Sequence, residues 1–148
     1  MSMRTNFPIF FFSKNEKKQI AEAIREAEKN TSGEIRVHLE RRVKEDVLKR
    51  GRKIFEQIGM TKTEQRNGVL IFLATKDKEF AVLGDAGINE KVPEGFWNDV
   101  VRIMKQHFTD NRFAEGISEA ILRVGAQLKE YFPCQAGDKN ELPDGISH

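Results

Sequence analysis

The sequence is poor in the residues that most often carry catalysis or staple a small fold. Among 148 residues there are one cysteine and three histidines. A lone cysteine forms no disulfide within the chain, and Cys134 lacks the neighbours of a zinc ligand set. The histidines are scattered: His38 on the polar side of an alternating run, His107 near the end of a helical stripe, and His148 in a polar tail. No nucleophile, base and orienting acid can be assembled from them. Long apolar runs are missing too. Nothing approaches the roughly 20 apolar residues of a membrane-spanning helix, and "FPIFFF", Phe7 to Phe12, is too short for the core of a secretory signal. An excess of one charge is also absent, because 25 basic and 23 acidic residues leave a net charge of only +2. Basic residues are densest from Arg41 to Lys53, but acids interrupt them and no aromatics interleave to stack bases. These absences predict a cytoplasmic monomer with no nucleic-acid partner and no membrane span.

What is present is enough for one globular domain: 39% of residues are hydrophobic and 32% charged. Ser13-Lys14-Asn15-Glu16 has the form of a capping box, and Ile20, Ala23, Ile24 and Ala27 recur at helical spacing up to the stop "NTSG". "EIRVHLE" follows, with Ile35, Val37 and Leu39 alternating with polar residues, which predicts a strand with one apolar face near a sheet edge. Val43 to about Ile58 reads as a second helix. Val69 to Ala74 is continuously apolar, as in a central strand covered on both faces, and "TKDK" turns it back into Phe80 to Leu83 as a hairpin. Two further helical stripes follow, from Phe96 to Phe108 and from Phe113 to Phe132, separated by "TDNR". Residues 1–12 read as an apolar segment packing on the domain, with a membrane or partner anchor as the alternative. Residues 134–148 read as a disordered polar tail. Asp138, Asn140, Glu141 and Asp144 there match a calcium loop in composition but not in spacing.

The element order predicts an α/β fold: a three-layer α/β/α sandwich whose small mixed sheet has two parallel strands and an antiparallel hairpin strand. In such a sheet the start of the first strand, the start of the second and the end of the third share one edge. That edge gathers Ser32, Glu34, Arg66, Asn67, Asp85, Asn89 and Glu90. Carboxylates, amide oxygens and glycine-rich turns are the hard oxygen donors that Ca²⁺ or Mg²⁺ prefers, which makes Asp85, Glu34, Asn67, Asn89 and Glu90 the candidate metal ligands. The competing reading has Asp85 capping the next helix or pairing with Arg66. Gly84-Asp85-Ala86-Gly87 matches neither G-x-G-x-x-G nor the P-loop, and its acid disfavours direct phosphate binding.

Three motifs, Asn67 to Ile71 (N-G-V-L-I), Gly84 to Gly87 (G-D-A-G) and Phe113 to Ile117 (F-A-E-G-I), follow in an order and spacing that resemble the TPM domain family, over about residues 13–133. That family includes thylakoid-lumen acid phosphatase-like proteins linked to photosystem II repair. The resemblance implies an α/β/α sandwich and a divalent cation, Ca²⁺ or Mg²⁺, bound near the sheet edge, with Asp85 as the best-matching position. It also implies, for some relatives, phosphatase activity. The expected function is therefore cation binding at a sheet-edge loop, with a protein partner possible. The alternative is a metal-dependent phosphatase acting on phosphomonoesters, with Asp85 as ligand, Glu34 as base and Arg66 steadying the phosphate.

Overall fold

The computed structural model describes residues 4–134 and 146–148. Its elements are α1 (Pro8–Phe11), α2 (Lys14–Glu28), β1 (Glu34–Glu40), α3 (Val47–Gln57), β2 (Gly68–Ala74), β3 (Glu79–Gly84), α4 (Ala86–Asn89), α5 (Phe96–Thr109), α6 (Phe113–Tyr131) and β4 (Ile146–Ser147), with a 3₁₀ turn at Met60–Lys62. The sheet runs β3-β2-β1-β4. β1 is parallel to β2 and β3 antiparallel to it, as the hairpin and the helical crossover require.

The sandwich follows from β2. Its seven residues are all buried, so neither face can be left to solvent. Val69, Ile71 and Leu73 enter the larger core with Ile20, Ile24, Val100, Met104, Ile117 and Ile121, which places α2, α5 and α6 on one side. Leu70 and Phe72 point the other way, against Ile54, Phe55 and Met60 of α3 and the turn after it. The resulting layers are those predicted.

Local chemistry sets the boundaries. α2 starts where both halves of the capping box form: Glu16 N–H donates to Ser13 Oγ at 3.1 Å, and Ser13 N–H to Glu16 Oε1 at 2.9 Å. Arg4 forks onto the same carboxylate at 2.6 and 2.8 Å and holds it below the ordinary glutamate range. The second helix begins at Val47, not Val43, because Asp46 accepts the Leu48 and Lys49 N–H groups and caps it there. Phe11 and Phe12 are buried, Phe11 lying edge-to-face on Phe113 with ring centres 5.2 Å apart, whereas Phe7, Ile9 and Phe10 stay exposed. The apolar N-terminal run is thus divided between core and surface.

The tail departs from expectation at its end. Ile146–Ser147 form a short strand parallel to β1, opposite Val37 and His38. The physical reason is an edge of β1 whose backbone groups otherwise lack a ladder partner, reinforced by a 2.7 Å contact between Ser147 Oγ and His38 Nδ1. The expected disorder over residues 135–145, and the calcium-like composition there, lie outside the described residues.

β1 also buries more than one face. Glu34 and His38 are buried on its polar side. From His38 a polar chain runs to Glu40 (3.4 Å) and on to Arg50, which forks onto Glu40 at 2.9 Å through both Nε and Nη2. Burial, partly offset by Glu40, pushes the His38 pKa below its ordinary 6.5. For Glu40 burial pulls upward, but Arg50 and His38 outweigh it and the pKa lies below 4.5. Both groups bind protons more readily in the unfolded chain, so both withdraw stability as pH falls. Thermal melts should show stability declining from about pH 6.5 as His38 is protonated, and again below 4.5 as Glu40 is. His38→Gln should remove the upper part of that decline and leave the lower part.

Candidate functional site

The register brings three strand ends together. Glu34 lies opposite Gly68, Val69 opposite Gly84, and Asp85 N–H donates to the Gly68 carbonyl at 2.9 Å. Glu34, Asn67 and Asp85 therefore share one edge, from residues about fifty positions apart in sequence.

Asp85 is 7% exposed and fully engaged. Its Oδ2 accepts from Arg66 Nε at 2.6 Å and its Oδ1 from Arg66 Nη2 at 2.7 Å, while the Ala86 N–H donates to Oδ1 at 2.8 Å. Asp85 thus both pairs with Arg66 and caps α4. The carboxylate raises the Arg66 pKa, mainly through these hydrogen bonds. Arg66 itself is 50% exposed and sits at φ 52°. Its carbonyl accepts the Gly87 and Ile88 N–H groups at 2.8 and 3.3 Å. A Cβ on Gly87 would come within 2.0 Å of the Gln65 carbonyl oxygen, so this position takes only glycine.

Asn67 is almost wholly buried, at 1% exposure. Its Nδ2 donates to Ser32 Oγ at 3.0 Å and its backbone N–H to Thr63 Oγ1 at 3.1 Å. Its Oδ1 is buried with no hydrogen-bond partner among the described residues. An amide oxygen held dry and unpaired costs free energy that a ligand can recover.

The other two predicted ligands are differently engaged. Asn89 spends both ends of its amide on a latch: Nδ2 donates to the Gly84 carbonyl at 2.8 Å, and Oδ1 accepts from Trp97 Nε1 at 2.9 Å. Gly84 admits that latch, since a Cβ there would meet the Trp97 ring at 2.5 Å. Glu90 is exposed. Among the described residues no three His, Cys, Asp or Glu side chains converge as a metal cluster. Sequence reasoning passed over Glu28, which is buried and accepts the Ile35 N–H at 2.8 Å beside this edge. Its signal was available: it stands four residues after Ile24, on the apolar stripe of α2.

Two variants separate packing from chemistry at this loop. Gly87→Ala should lower stability by roughly 1–3 kcal/mol through overpacking against the 65–66 backbone. Asp85→Ala should lose about 1 kcal/mol with the cap. Chemical denaturation of the metal-free protein, read by circular dichroism, checks both, and Glu90→Ala should leave stability within about 0.5 kcal/mol as an exposed control.

Comparison with known proteins is informative about the family. The TPM domain matches residues 10–127. Among solved structures, the BA42 protein of the psychrophilic bacterium Bizionia argentinensis is 43% identical with a TM-score of 0.86, over 93% of this chain and 94% of that one. The N-terminal domain of a protein from P. gingivalis (21% identity, TM-score 0.64, 84% and 82% covered) shares the fold. So does the N-terminal domain of a Corynebacterium glutamicum protein (12%, 0.65, 89% and 84%). No curated protein matches. With its three long strands, its G-D-A-G loop and most of its helical residues inside the matched span, the chain belongs to the TPM domain family.

Proposed function

We propose that the protein binds a divalent cation, Ca²⁺ or Mg²⁺, at the sheet edge formed by Ser32, Glu34, Asn67 and Asp85. The observation that carries this is the buried Oδ1 of Asn67, without a partner among the described residues, at the edge that Glu34 and Asp85 share. Hard oxygens are what such ions select. Asp85 becomes available to a cation when Arg66 releases it. The guanidinium is half-exposed and can swing into water, so it serves as a tethered positive charge that a metal ion displaces. When bound, the ion would supply a fixed charge that holds the three strand ends together. Asn89 and Glu90 are not needed for this role.

Hydrolysis of phosphomonoesters at the same edge has weaker support. His38 contacts Ser147 and Glu40 instead, and Glu34 would have to act as the base from a buried position. Cation binding is therefore the function put forward.

Competition with Arg66 makes the proposal testable. Ca²⁺ or Mg²⁺ titration followed by amide chemical shifts should move residues 32–35, 66–68 and 85–88. Asp85→Asn should abolish those shifts. Arg66→Gln should tighten binding, because the internal competitor is gone; weaker binding in Arg66→Gln, or shifts confined to residues elsewhere, would remove this edge from consideration.

A further inference from the structure

The opposite end of the sheet carries a second, unrelated feature. We propose that the exposed part of the N-terminal segment is a docking surface for anionic lipid membranes, which the protein meets peripherally through Phe7, Ile9 and Phe10. No helix among the described residues is long and apolar enough to cross a membrane, so the contact lies in the interface.

Phe7, Ile9 and Phe10 are 54%, 49% and 69% exposed and account for three of the five large hydrophobic side chains left in solvent among the described residues. They sit within or next to a single helical turn, α1, while Phe11 and Phe12 from the same run are driven into the core. The turn is therefore rigidly mounted, with one side anchored and the other bare. Asn6 and Phe7 fix its start: the Asn6 carbonyl accepts from Thr75 Oγ1, Asn6 Oδ1 accepts from Arg41 Nε at 2.9 Å, and the Arg41 guanidinium lies over the Phe7 ring at 4.6 Å.

Charge tells what such a surface meets. Lys17 Nζ donates to the Ile9 carbonyl at 2.8 Å, and Arg41 covers Phe7, so two cations touch the apolar turn. Neither forms an ion pair among the described residues. Glu16, in the first turn of the next helix, is paired with Arg4. An open groove of about 820 Å³ that Phe10 helps line is also bordered by Lys78 and Asp110. Aromatic and aliphatic side chains flanked by unpaired Lys and Arg are the composition of an interfacial anchor: rings enter the headgroup boundary while cations meet lipid phosphates. A protein partner with an apolar pocket would need no such cations against the turn.

The test is co-sedimentation of the whole chain with vesicles of phosphatidylcholine alone and of phosphatidylcholine mixed with phosphatidylglycerol. Binding is expected to the mixed vesicles, to weaken as salt is raised, and to be at least about tenfold weaker for Ile9→Ser/Phe10→Ser. The double variant should melt at the same temperature as the parent, since both side chains are exposed. Lys17→Glu should weaken binding as well. In a separate Phe10→Trp variant, emission should shift to the blue with mixed vesicles only. The proposal is overturned by failure to sediment, by equal affinity for both vesicle types, by unchanged binding of Ile9→Ser/Phe10→Ser, or by a Trp signal that ignores lipid. It is also overturned if the parent chain self-associates through this patch and the double variant does not, because the patch is then a protein interface.

Discussion

The architecture depends on one constraint, the complete burial of β2. Seven consecutive residues with no contact with water oblige the chain to supply cover on both faces and ladder partners on both edges. Cover comes unevenly: three long helices on one side and α3 alone on the other. The edges are supplied by β1 and β3, and the polar ends of those strands are consequently brought together where β2 begins. The candidate site is thus a by-product of satisfying the central strand. Its groups are close because Val69 to Ala74 must be dry.

Much of this was legible from residue patterns because the causes are local. The apolar run of β2, the Ser13–Glu16 box and the stripes of α5 and α6 each announce themselves within a few turns of chain. What was not legible depends on distant partners. Asp46 set the start of α3 against an apolar pattern that extends further back. Ile146 and Ser147 found the free edge of β1, more than a hundred residues away in sequence, and no periodicity in a polar tail reports such an edge. The polar side of β1 read as solvated, yet Arg50 and Ser147 enclose it from both directions.

The sheet edge shows the same division at the level of single residues. Topology alone placed Glu34, Asn67 and Asp85 at one edge, since strand directions decide which strand ends lie together. The roles of the individual groups were beyond its reach. Asp85 carries two structural duties that composition could only pose as alternatives, and Asn89 is committed to Trp97. The glycines flanking Asp85 are explained by close approach of Trp97 and of the 65–66 backbone, without reference to an ion. At this edge the fold leaves the buried Asn67 amide oxygen without a partner among the described residues.

β4 has a consequence for how the domain is mounted. Because it runs parallel to β1 from Val37 onward, the chain leaves toward the Glu40 end of that strand. The incoming segment reaches the same end, where Asn6 meets Thr75 and Arg41. Entry and exit therefore share one pole of the molecule, and Asn67 and Asp85 occupy the other. Anything attached through either terminus, whether a tag, a solid support or a neighbouring domain, holds the protein by its base and presents the Asn67–Asp85 edge outward.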